Sequence, residues 1–405
     1  MGDPLPMPSP PDITIEVFGK TDVGLIREHN EDNFLVADVT SAMRSNEIAE
    51  PLQMRLGDKG ILLLVCDGMG GAAAGEVASR MAVDSIFETL SGAEPQARDG
   101  FARMVRRSIE VANERIFVQS RDNQSERGMG TTCTAAALVD QTLVIGQIGD
   151  SRCYVARAGK LAQVTKDQSL AWQLIEAGAM TPEEAKAFEH ANIILQALGV
   201  QDRVEVVLSQ VELRKGDVVV LCSDGLHGPV SDEEILEVVQ NEPNLQAAAQ
   251  ALIQRALDRD GPDNITVVLA RFDGEGLEAP RAEDVVAFLP YDPGPGAPPD
   301  PHPADPPYDP HIGALATVNE RIPKELLAAE DVVTSGTVAG GGKRPSGARK
   351  ATPSAAVASR SAASTARSML AFFFLALVAA AAGGIFVMKC ERDQAARTEG
   401  RGYNP

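Results

Sequence analysis

Short apolar runs, separated by turn-forming residues, indicate that the chain begins with a β-rich region. The runs at 13–18, 34–37 and 61–66 have the length and composition of strands. The third run, ILLLVC, is apolar at every position, which is typical of a buried strand. We therefore predict a strand at each of these runs.

Between Gly75 and Gln119 the apolar spacing becomes helical and predicts two long helices. Four strand-like runs follow, at 132–139, 143–148, 153–156 and 161–164. The turns between these runs are too short for crossover helices, so the runs predict an antiparallel meander. The clearest helical face comprises Phe101, Met104, Val105, Ser108, Ile109, Ala112 and Ile116.

Capping patterns indicate two later helix starts. Thr181 and Ser231 each precede a glutamate by three residues, and Pro182 occupies the first helical position after Thr181. An apolar face within 245–257 predicts a further helix, and the run 265–271 predicts a last strand. The pattern as a whole predicts an α+β domain over residues 13–273, after a disordered proline-rich leader at 1–12.

The C-terminal third has a different composition. Residues 274–368 are rich in proline, alanine and small polar residues and predict a disordered linker, because they cannot bury enough apolar surface to offset the entropy cost of folding. Residues 369–389 contain the run LAFFFLALVAAAAGGIFVM, about 28 Å long as a helix, which predicts one transmembrane helix. A short tail follows at 390–405. The excess of Lys and Arg before this segment favours a single-pass plasma (inner) membrane protein with its folded domain in the cytoplasm.

Charge and cysteine content exclude several classes of partner and site. The formal net charge is −20, which argues against a nucleic-acid partner because phosphate backbones are bound by clusters of Lys and Arg. The five cysteines are odd in number and contain no CxxC pair, so they fit neither a disulfide framework nor a zinc site.

Acidic residues at the ends of predicted strands carry the candidate chemistry. Carboxylates without accompanying His or Cys suit hard cations such as Mg²⁺ or Mn²⁺, which prefer oxygen ligands. One Asp-Gly pair after a strand is usually only a turn, so the interpretation depends on the whole set. The set is Glu31-Asp32, Asp67-Gly68, Asp224-Gly225 and Asp263-Asn264.

Six motifs in order along the chain extend this pattern: TDVGLIREHNEDN, VCDGMGG, GMGTT, IGDSRCY, LCSDGL and GPDNITVV. In these motifs the chain resembles the metal-dependent protein phosphatases of the PPM, or type 2C, family, over residues 14–271. The resemblance implies a four-layer α-β-β-α sandwich of two antiparallel sheets flanked by helix pairs. The linker and the predicted transmembrane helix lie outside the resemblance.

The resemblance also implies a role for each acid. Asp67 would bridge two metal ions, with the Gly68 carbonyl on one ion and Asp224 and Asp263 on the other. Glu31 and Asp32 would act through waters in the outer shell, and Asp150 would support a third, weaker site found in bacterial members. Arg27 would hold the substrate phosphate. The implied catalytic residues are Arg27, Asp32 and Asp67, and the implied metal residues are Glu31, Asp32, Asp67, Gly68, Asp150, Asp224 and Asp263.

The implied reaction is hydrolysis of phosphoserine and phosphothreonine in proteins by a metal-activated water, with two Mn²⁺ or Mg²⁺ ions and room for a third. Expected partners are phosphorylated proteins, including Ser/Thr kinases and their substrates. Met69 stands where many eukaryotic members have histidine, which leaves the proton donor open. Two alternatives remain: a phosphoprotein-binding scaffold without turnover, and a regulator of one phosphorylated switch protein. Residues 165–199 resemble the flap that family members set beside the cleft.

Overall fold

Two stacked antiparallel sheets, with helices on both outer sides, make up the part of the chain that the structure describes. This computed structural model describes residues 10–70, 74–185, 188, 190–281 and 284–294. The strands are β1 (Thr14–Asp22), β2 (Asn33–Asp38), β3 (Met43–Ser45), β4 (Leu52–Arg55), β5 (Ile61–Cys66), β6 (Gly68–Met69), β7 (Gly130–Thr131), β8 (Cys133–Val139), β9 (Thr142–Ile148), β10 (Arg152–Arg157), β11 (Lys160–Gln163), β12 (Val207–Glu212), β13 (Val218–Cys222) and β14 (Ile265–Asp273). The helices are α1 (Ala74–Gly92), α2 (Arg98–Asp122), α3 (Leu170–Glu176), α4 (Pro182–Ala185), α5 (Asp224–His227), α6 (Asp232–Asn241) and α7 (Leu245–Leu257).

The layers follow from which side of each sheet a helix covers. The first sheet has the order β11-β10-β13-β14-β1-β4, and the second has the order β12-β9-β8-β5-β2-β3. Helices α1 and α2 cover the second sheet through a core that includes Ile86 and Ile109. Helices α6 and α7 cover the first sheet through a core that includes Ile235 and Leu252. The predicted α-β-β-α sandwich is confirmed.

Strand β5 lies at the centre of the second sheet and is buried on both faces. Leu62 and Leu64 point into the core beneath α1 and α2, whereas Ile61, Leu63 and Val65 point into the core between the sheets. Successive side chains of a strand point to opposite faces, so a strand covered on both sides needs an apolar residue at every position. The run ILLLVC meets that requirement, and its predicted bounds are confirmed.

The predicted meander is wrong in one respect. Strands β8 and β9 pair in the second sheet, and β10 and β11 pair in the first, so the chain changes sheets between β9 and β10. The crossing occurs at Gly149, whose φ is 92°. A Cβ at Gly149 would lie 2.7 Å from Thr132 Cγ2, so the position requires glycine. Alternation of apolar residues cannot reveal which sheet a strand joins.

Both predicted capping boxes are present. The Ser231 side chain accepts a hydrogen bond from the Glu234 amide, and the Glu234 side chain accepts one from the Ser231 amide. Thr181 and Glu184 make the same reciprocal pair at the start of α4. These bonds satisfy amide groups that have no partner within the helix.

The folded domain continues beyond the predicted boundary at residue 273. The described residues 284–294 run beside β12, the edge strand of the second sheet, where the Tyr291 amide donates to Leu208 O at 2.9 Å. The Arg214–Asp284 ion pair, with a 3.1 Å contact, attaches the start of this segment. Covering an exposed strand edge satisfies its backbone groups, although the segment itself has no periodic pattern.

No helix within the described ranges is long and apolar enough to cross a bilayer. The predicted transmembrane helix at 369–389, the tail at 390–405 and most of the predicted linker lie outside the residues that the structure describes.

Candidate active site

The acids singled out in the sequence lie at one end of the two sheets. In the second sheet, Asp67 follows β5 and Asp32 precedes β2, its antiparallel neighbour. In the first sheet, Asp224 follows β13 and Asp263 precedes β14, which is again an antiparallel neighbour. Asp150 lies where the chain crosses between the sheets. Because antiparallel pairing places the end of one strand beside the start of the next, residues distant in sequence meet here.

The Asp67 backbone is held by two threonines of the GMGTT motif. Its amide donates to Thr132 Oγ1 at 2.9 Å, and its carbonyl accepts from Thr131 Oγ1 and from the Thr132 amide, both at 2.8 Å. A Cβ on the next residue, Gly68, would lie 2.5 Å from Glu31 O, so only glycine allows this close approach. The motif therefore fixes the direction in which Asp67 leaves the sheet.

Asp224 is the first residue of α5 and faces Asp67. The Asp224 Oδ1 atom is buried without a hydrogen-bond partner. A Cβ on Gly225 would lie 2.0 Å from Asn264 O, which explains the glycine that follows the acid. The LCSDGL and GPDNIT motifs are thus packed directly against each other.

Asp32 connects the two sheets. It is 4% exposed, and its Oδ2 accepts hydrogen bonds from Ser223 Oγ at 2.7 Å and Thr266 Oγ1 at 2.6 Å. Its other oxygen, Oδ1, is buried without a partner. Burial raises the pKa of Asp32 to about 7, against the opposing effect of the two hydroxyl groups.

Asp150 is 7% exposed, and its Oδ1 also has no partner. Burial, with Asp224 and Asp167 nearby, raises its pKa to about 8. Its backbone carbonyl lies 3.0 Å from His227 Nε2. Burial lowers the pKa of His227 well below its usual value, so a neutral ring donates Nε2–H to that carbonyl. His227 cannot be identified from the sequence, because a single histidine in SDGLHG carries no recognisable signal.

Arg27 and Asp263 form an ion pair at the mouth of the site. Arg27 Nη2 lies 2.7 Å from Asp263 Oδ2, with side chains 53% and 33% exposed, and the Asp263 partner raises the pKa of Arg27. The resemblance assigns these residues to phosphate and to metal. Here each is the other's partner, so a ligand of either residue would compete with this pair.

Asn264 supports the loop that carries Arg27. It is 5% exposed, and its Nδ2 donates to Val23 O and to His29 O, both at 2.9 Å. Its Oδ1 accepts from the Glu31 amide at 2.8 Å. The Asn264 side chain therefore joins both ends of the loop 23–29. Burial raises the pKa of the nearby Glu31 carboxyl.

The crowded carboxylates oppose one another's ionisation. Burial, followed by Asp32, Asp224 and Asp150, raises the pKa of Asp67 well above its usual range. Burial and Asp263 raise that of Asp224. Buried acids this close retain protons unless a cation neutralises them.

The donor set fits hard divalent cations. Three carboxylates in this cluster each have a buried oxygen with no hydrogen-bond partner: Asp32, Asp150 and Asp224. Buried polar atoms normally have partners, and a bound cation is a partner that these oxygens fit. Within the described ranges, no group of three or more His, Cys, Asp or Glu side chains is placed so that these side chains alone could hold a metal ion. Mg²⁺ and similar ions keep several waters and take only some of their ligands from protein.

The segment predicted as a flap begins and ends beside these acids. The Gly149 amide donates to Gln168 Oε1 at 2.8 Å, and the Leu198 amide donates to Thr131 O at 2.8 Å. Among its described residues, His190 packs edge-on against the Phe188 ring, with ring centroids 5.6 Å apart. His190 and His29 are both exposed.

Comparison with known proteins identifies the family. The family model described as protein phosphatase 2C matches residues 51–269, more than half of the chain. This chain belongs to the protein phosphatase 2C family. The family resemblance predicted from the motifs is therefore confirmed.

Curated relatives and a solved structure agree with this membership. The chain is 38% identical over 258 residues to the serine/threonine protein phosphatase PstP of Mycobacterium tuberculosis, covering 64% of this chain and 45% of that protein. It is 35% identical to the serine/threonine phosphatase Stp of Listeria monocytogenes, covering 63% of this chain and 94% of that protein. A structure of the PstP catalytic domain in complex with two manganese ions is 36% identical, with a TM-score of 0.53 over 64% of this chain and 99% of that one. The chain thus matches less than half the length of PstP.

Proposed function

We propose that this chain is a metal-dependent protein serine/threonine phosphatase that hydrolyses phosphoserine and phosphothreonine. The observation that carries the proposal is the cluster of carboxylates with buried, partnerless oxygens, beside the exposed Arg27. A cationic side chain next to an acidic, cation-binding pocket suits a phosphate monoester, which needs both charge neutralisation and a positioned donor. Family membership and the names of the relatives support the same activity.

We propose Mn²⁺ or Mg²⁺ as the cofactor, because the donor set consists of oxygens and the related PstP structure contains two manganese ions. Asp67, Asp224, Asp263 and the Gly68 carbonyl would hold two ions directly. The outer residues Glu31 and Asp32 would act through waters, and Asp150 would support a third ion. When bound, such ions neutralise phosphate charge and lower the pKa of water toward neutrality.

The protein's own groups would orient the substrate. Arg27 is always protonated and offers paired N–H donors that match phosphate oxygens. Arg27 would exchange its present partner, Asp263, for the phosphate of the substrate, and Asp263 would be free to hold a metal ion. Asp32, held by Ser223 and Thr266, would accept hydrogen bonds from waters through its free Oδ1.

We further propose that the substrates include proteins phosphorylated by membrane-associated Ser/Thr kinases. This rests on the predicted membrane anchor at 369–389, which derives from the sequence alone. A cytoplasmic domain tethered by a long linker would act at the inner face of the plasma membrane. Fractionation of cells that express the full chain and a chain ending at residue 368 tests the anchor: only the full chain should sediment with membranes.

The activity is tested with full-length protein and phosphothreonine peptides, with Mn²⁺, with chelator, and with Asp224→Ala. Phosphate release that requires metal and disappears in the variant is expected. A folded, metal-binding protein that releases no phosphate but binds the peptides would overturn the proposal in favour of the scaffold function.

A further inference from the structure

Two adjacent apolar side chains are exposed beside Arg27. Leu25 and Ile26 are 64% and 68% exposed, and Ile26 directly precedes the arginine. Val23, on the same loop, is 37% exposed. We call residues 23–29 the arginine loop. Single exposed apolar residues are ordinary, but contiguous ones next to a polar cleft are typical of binding surfaces.

The arginine loop holds these side chains on a fixed backbone. The Leu25 amide donates to Gly261 O at 2.9 Å, and the Asn264 side chain binds the carbonyls at both ends of the loop. Gly24 has a φ of 77°, and a Cβ there would lie 2.2 Å from Asp263 O. An apolar surface on an already ordered backbone loses little conformational entropy when it binds a partner.

This surface is continuous with the candidate active site. The Arg27 guanidinium contacts Asp263 at the edge of the acidic cluster, and consecutive Cα atoms are only about 3.8 Å apart, so Ile26 lies at the same edge. A phosphorylated residue bound at Arg27 would place its chain neighbours near Leu25 and Ile26, since an extended chain advances about 3.3 Å per residue.

We propose that Leu25 and Ile26 form a substrate-binding surface that selects phosphoproteins with an apolar side chain within two residues of the phosphorylated serine or threonine. This inference rests on the proposed phosphatase function. The apolar side chain of the substrate would cover both residues and remove them from water, which strengthens binding in proportion to the apolar area buried.

The test compares two phosphothreonine peptides that differ only in carrying leucine or serine at the positions flanking the phosphothreonine. Full-length wild type is expected to show about ten-fold higher kcat/KM on the leucine peptide, the scale of one apolar group in a pocket. Ile26→Ser should remove most of that preference, chiefly by raising KM for the leucine peptide. Leu25→Ser provides an independent second variant.

Val118→Ser is the matched control, because Val118 is 45% exposed but lies on α2. It should keep the wild-type preference. Equal kcat/KM of wild type on both peptides, or an unchanged preference in both loop variants, would overturn the proposal. The proposal would also be overturned if wild type sedimented as a dimer that Ile26→Ser converted to monomer while the preference stayed unchanged, because the surface would then be a self-association site.

A separate assay shows whether the proposed phosphatase activity itself is absent. Wild-type hydrolysis of p-nitrophenyl phosphate with Mn²⁺ needs no flanking residues and reports the proposed activity alone. Binding of the same two peptides carrying a non-hydrolysable phosphonate, followed by fluorescence anisotropy, reports the surface without turnover. Weaker binding of the leucine peptide to Ile26→Ser than to wild type supports the surface, and equal binding overturns it.

Discussion

The aspartates at the two ends of β13 have opposite surroundings. Before the strand, Asp217 is 1% exposed and accepts two hydrogen bonds from Arg157, at 2.8 and 2.6 Å, and one from the Arg214 amide at 2.8 Å. After the strand, Asp224 faces other acids and keeps an oxygen without a partner. The same residue type is fully satisfied at one end of the sandwich and unsatisfied at the other.

The contrast separates structural acids from functional ones. A buried carboxylate with a bidentate arginine has its charge balanced and its lone pairs occupied. A cluster of buried carboxylates without cationic partners destabilises the fold, and a protein retains such a cluster where function requires it. We expect substitutions at the two ends to have opposite effects on activity and stability.

The largest expected effect is on activity. Asp67→Asn should lower metal-dependent phosphate release by at least about a thousand-fold, because the proposed role of Asp67 is to hold the metal ions, and losing that role would remove several kcal/mol of charge stabilisation. The free energy of unfolding of the metal-free protein should stay the same or rise, because burial and the neighbouring acids raise the pKa of Asp67, and asparagine does not carry the cost of keeping that group protonated. Phosphate release and urea unfolding in chelator measure the two. A large loss of metal-free stability would place Asp67 with the structural acids.

The second prediction concerns Asp217, before the start of β13. Asp217→Ala should lower the free energy of unfolding by about 3 kcal/mol, because it leaves the Arg157 guanidinium buried without a partner. Urea unfolding measures this loss of stability. The control is Arg55→Ala, which removes an exposed ion pair and should change the free energy of unfolding by less than about 1 kcal/mol. Activity per folded molecule should remain near wild type. An unchanged free energy of unfolding in Asp217→Ala would contradict the distinction between structural and functional acids.

The third prediction is a pH dependence. The folded pKa values of Asp32 and Asp150, about 7 and about 8, lie above that of an unfolded aspartate, about 3.9. Between these values the folded state holds protons that the unfolded chain has released. The free energy of unfolding in chelator should therefore fall as the pH rises from about 4 to about 8, by up to about 1.4 kcal/mol per pH unit for each group.

Thermal unfolding with chelator and with Mn²⁺ measures this dependence. Mn²⁺ should raise the unfolding temperature more at the upper end of this pH range than at the lower end, because cations bind the ionised carboxylates. Asp150→Asn should flatten the dependence in chelator, whereas Asp58→Asn, at an exposed position, should leave it unchanged. A stability that rises with pH in chelator would contradict the pKa shifts.

The smallest expected effect comes from His227, whose ring supports the Asp150 carbonyl. His227→Ala should raise the Mn²⁺ concentration for half-maximal activity a few-fold, since losing one hydrogen bond costs about 1 kcal/mol. His227→Gln, which can still donate, should restore part of the affinity, and the exposed His190→Ala should change nothing. Equal metal requirements in all three variants would show that Asp150 needs no such support.

Most of the fold was predictable from local patterns. Strand β5, the buried face of α2 and both capping boxes lie where the sequence predicted them, because each depends on residues close together along the chain. The edge strand β12, the change of sheet at Gly149 and the segment beside β12 were missed. Each depends on a partner more than ten residues away, which periodicity does not report.

The candidate site divides in the same way. The residue types at the strand ends, taken in order, were enough to predict which acids belong to the site and which family the chain resembles. Donors that are all oxygens, placed after apolar runs, restrict the chemistry to hard cations. The tertiary structure alone decided three further features: which acids keep a free oxygen, the pairing of Arg27 with Asp263, and the support of the backbone by His227 and Asn264. Hydrogen-bond partners and burial arise when the two sheets close on each other, and no segment of the sequence contains both halves of those contacts.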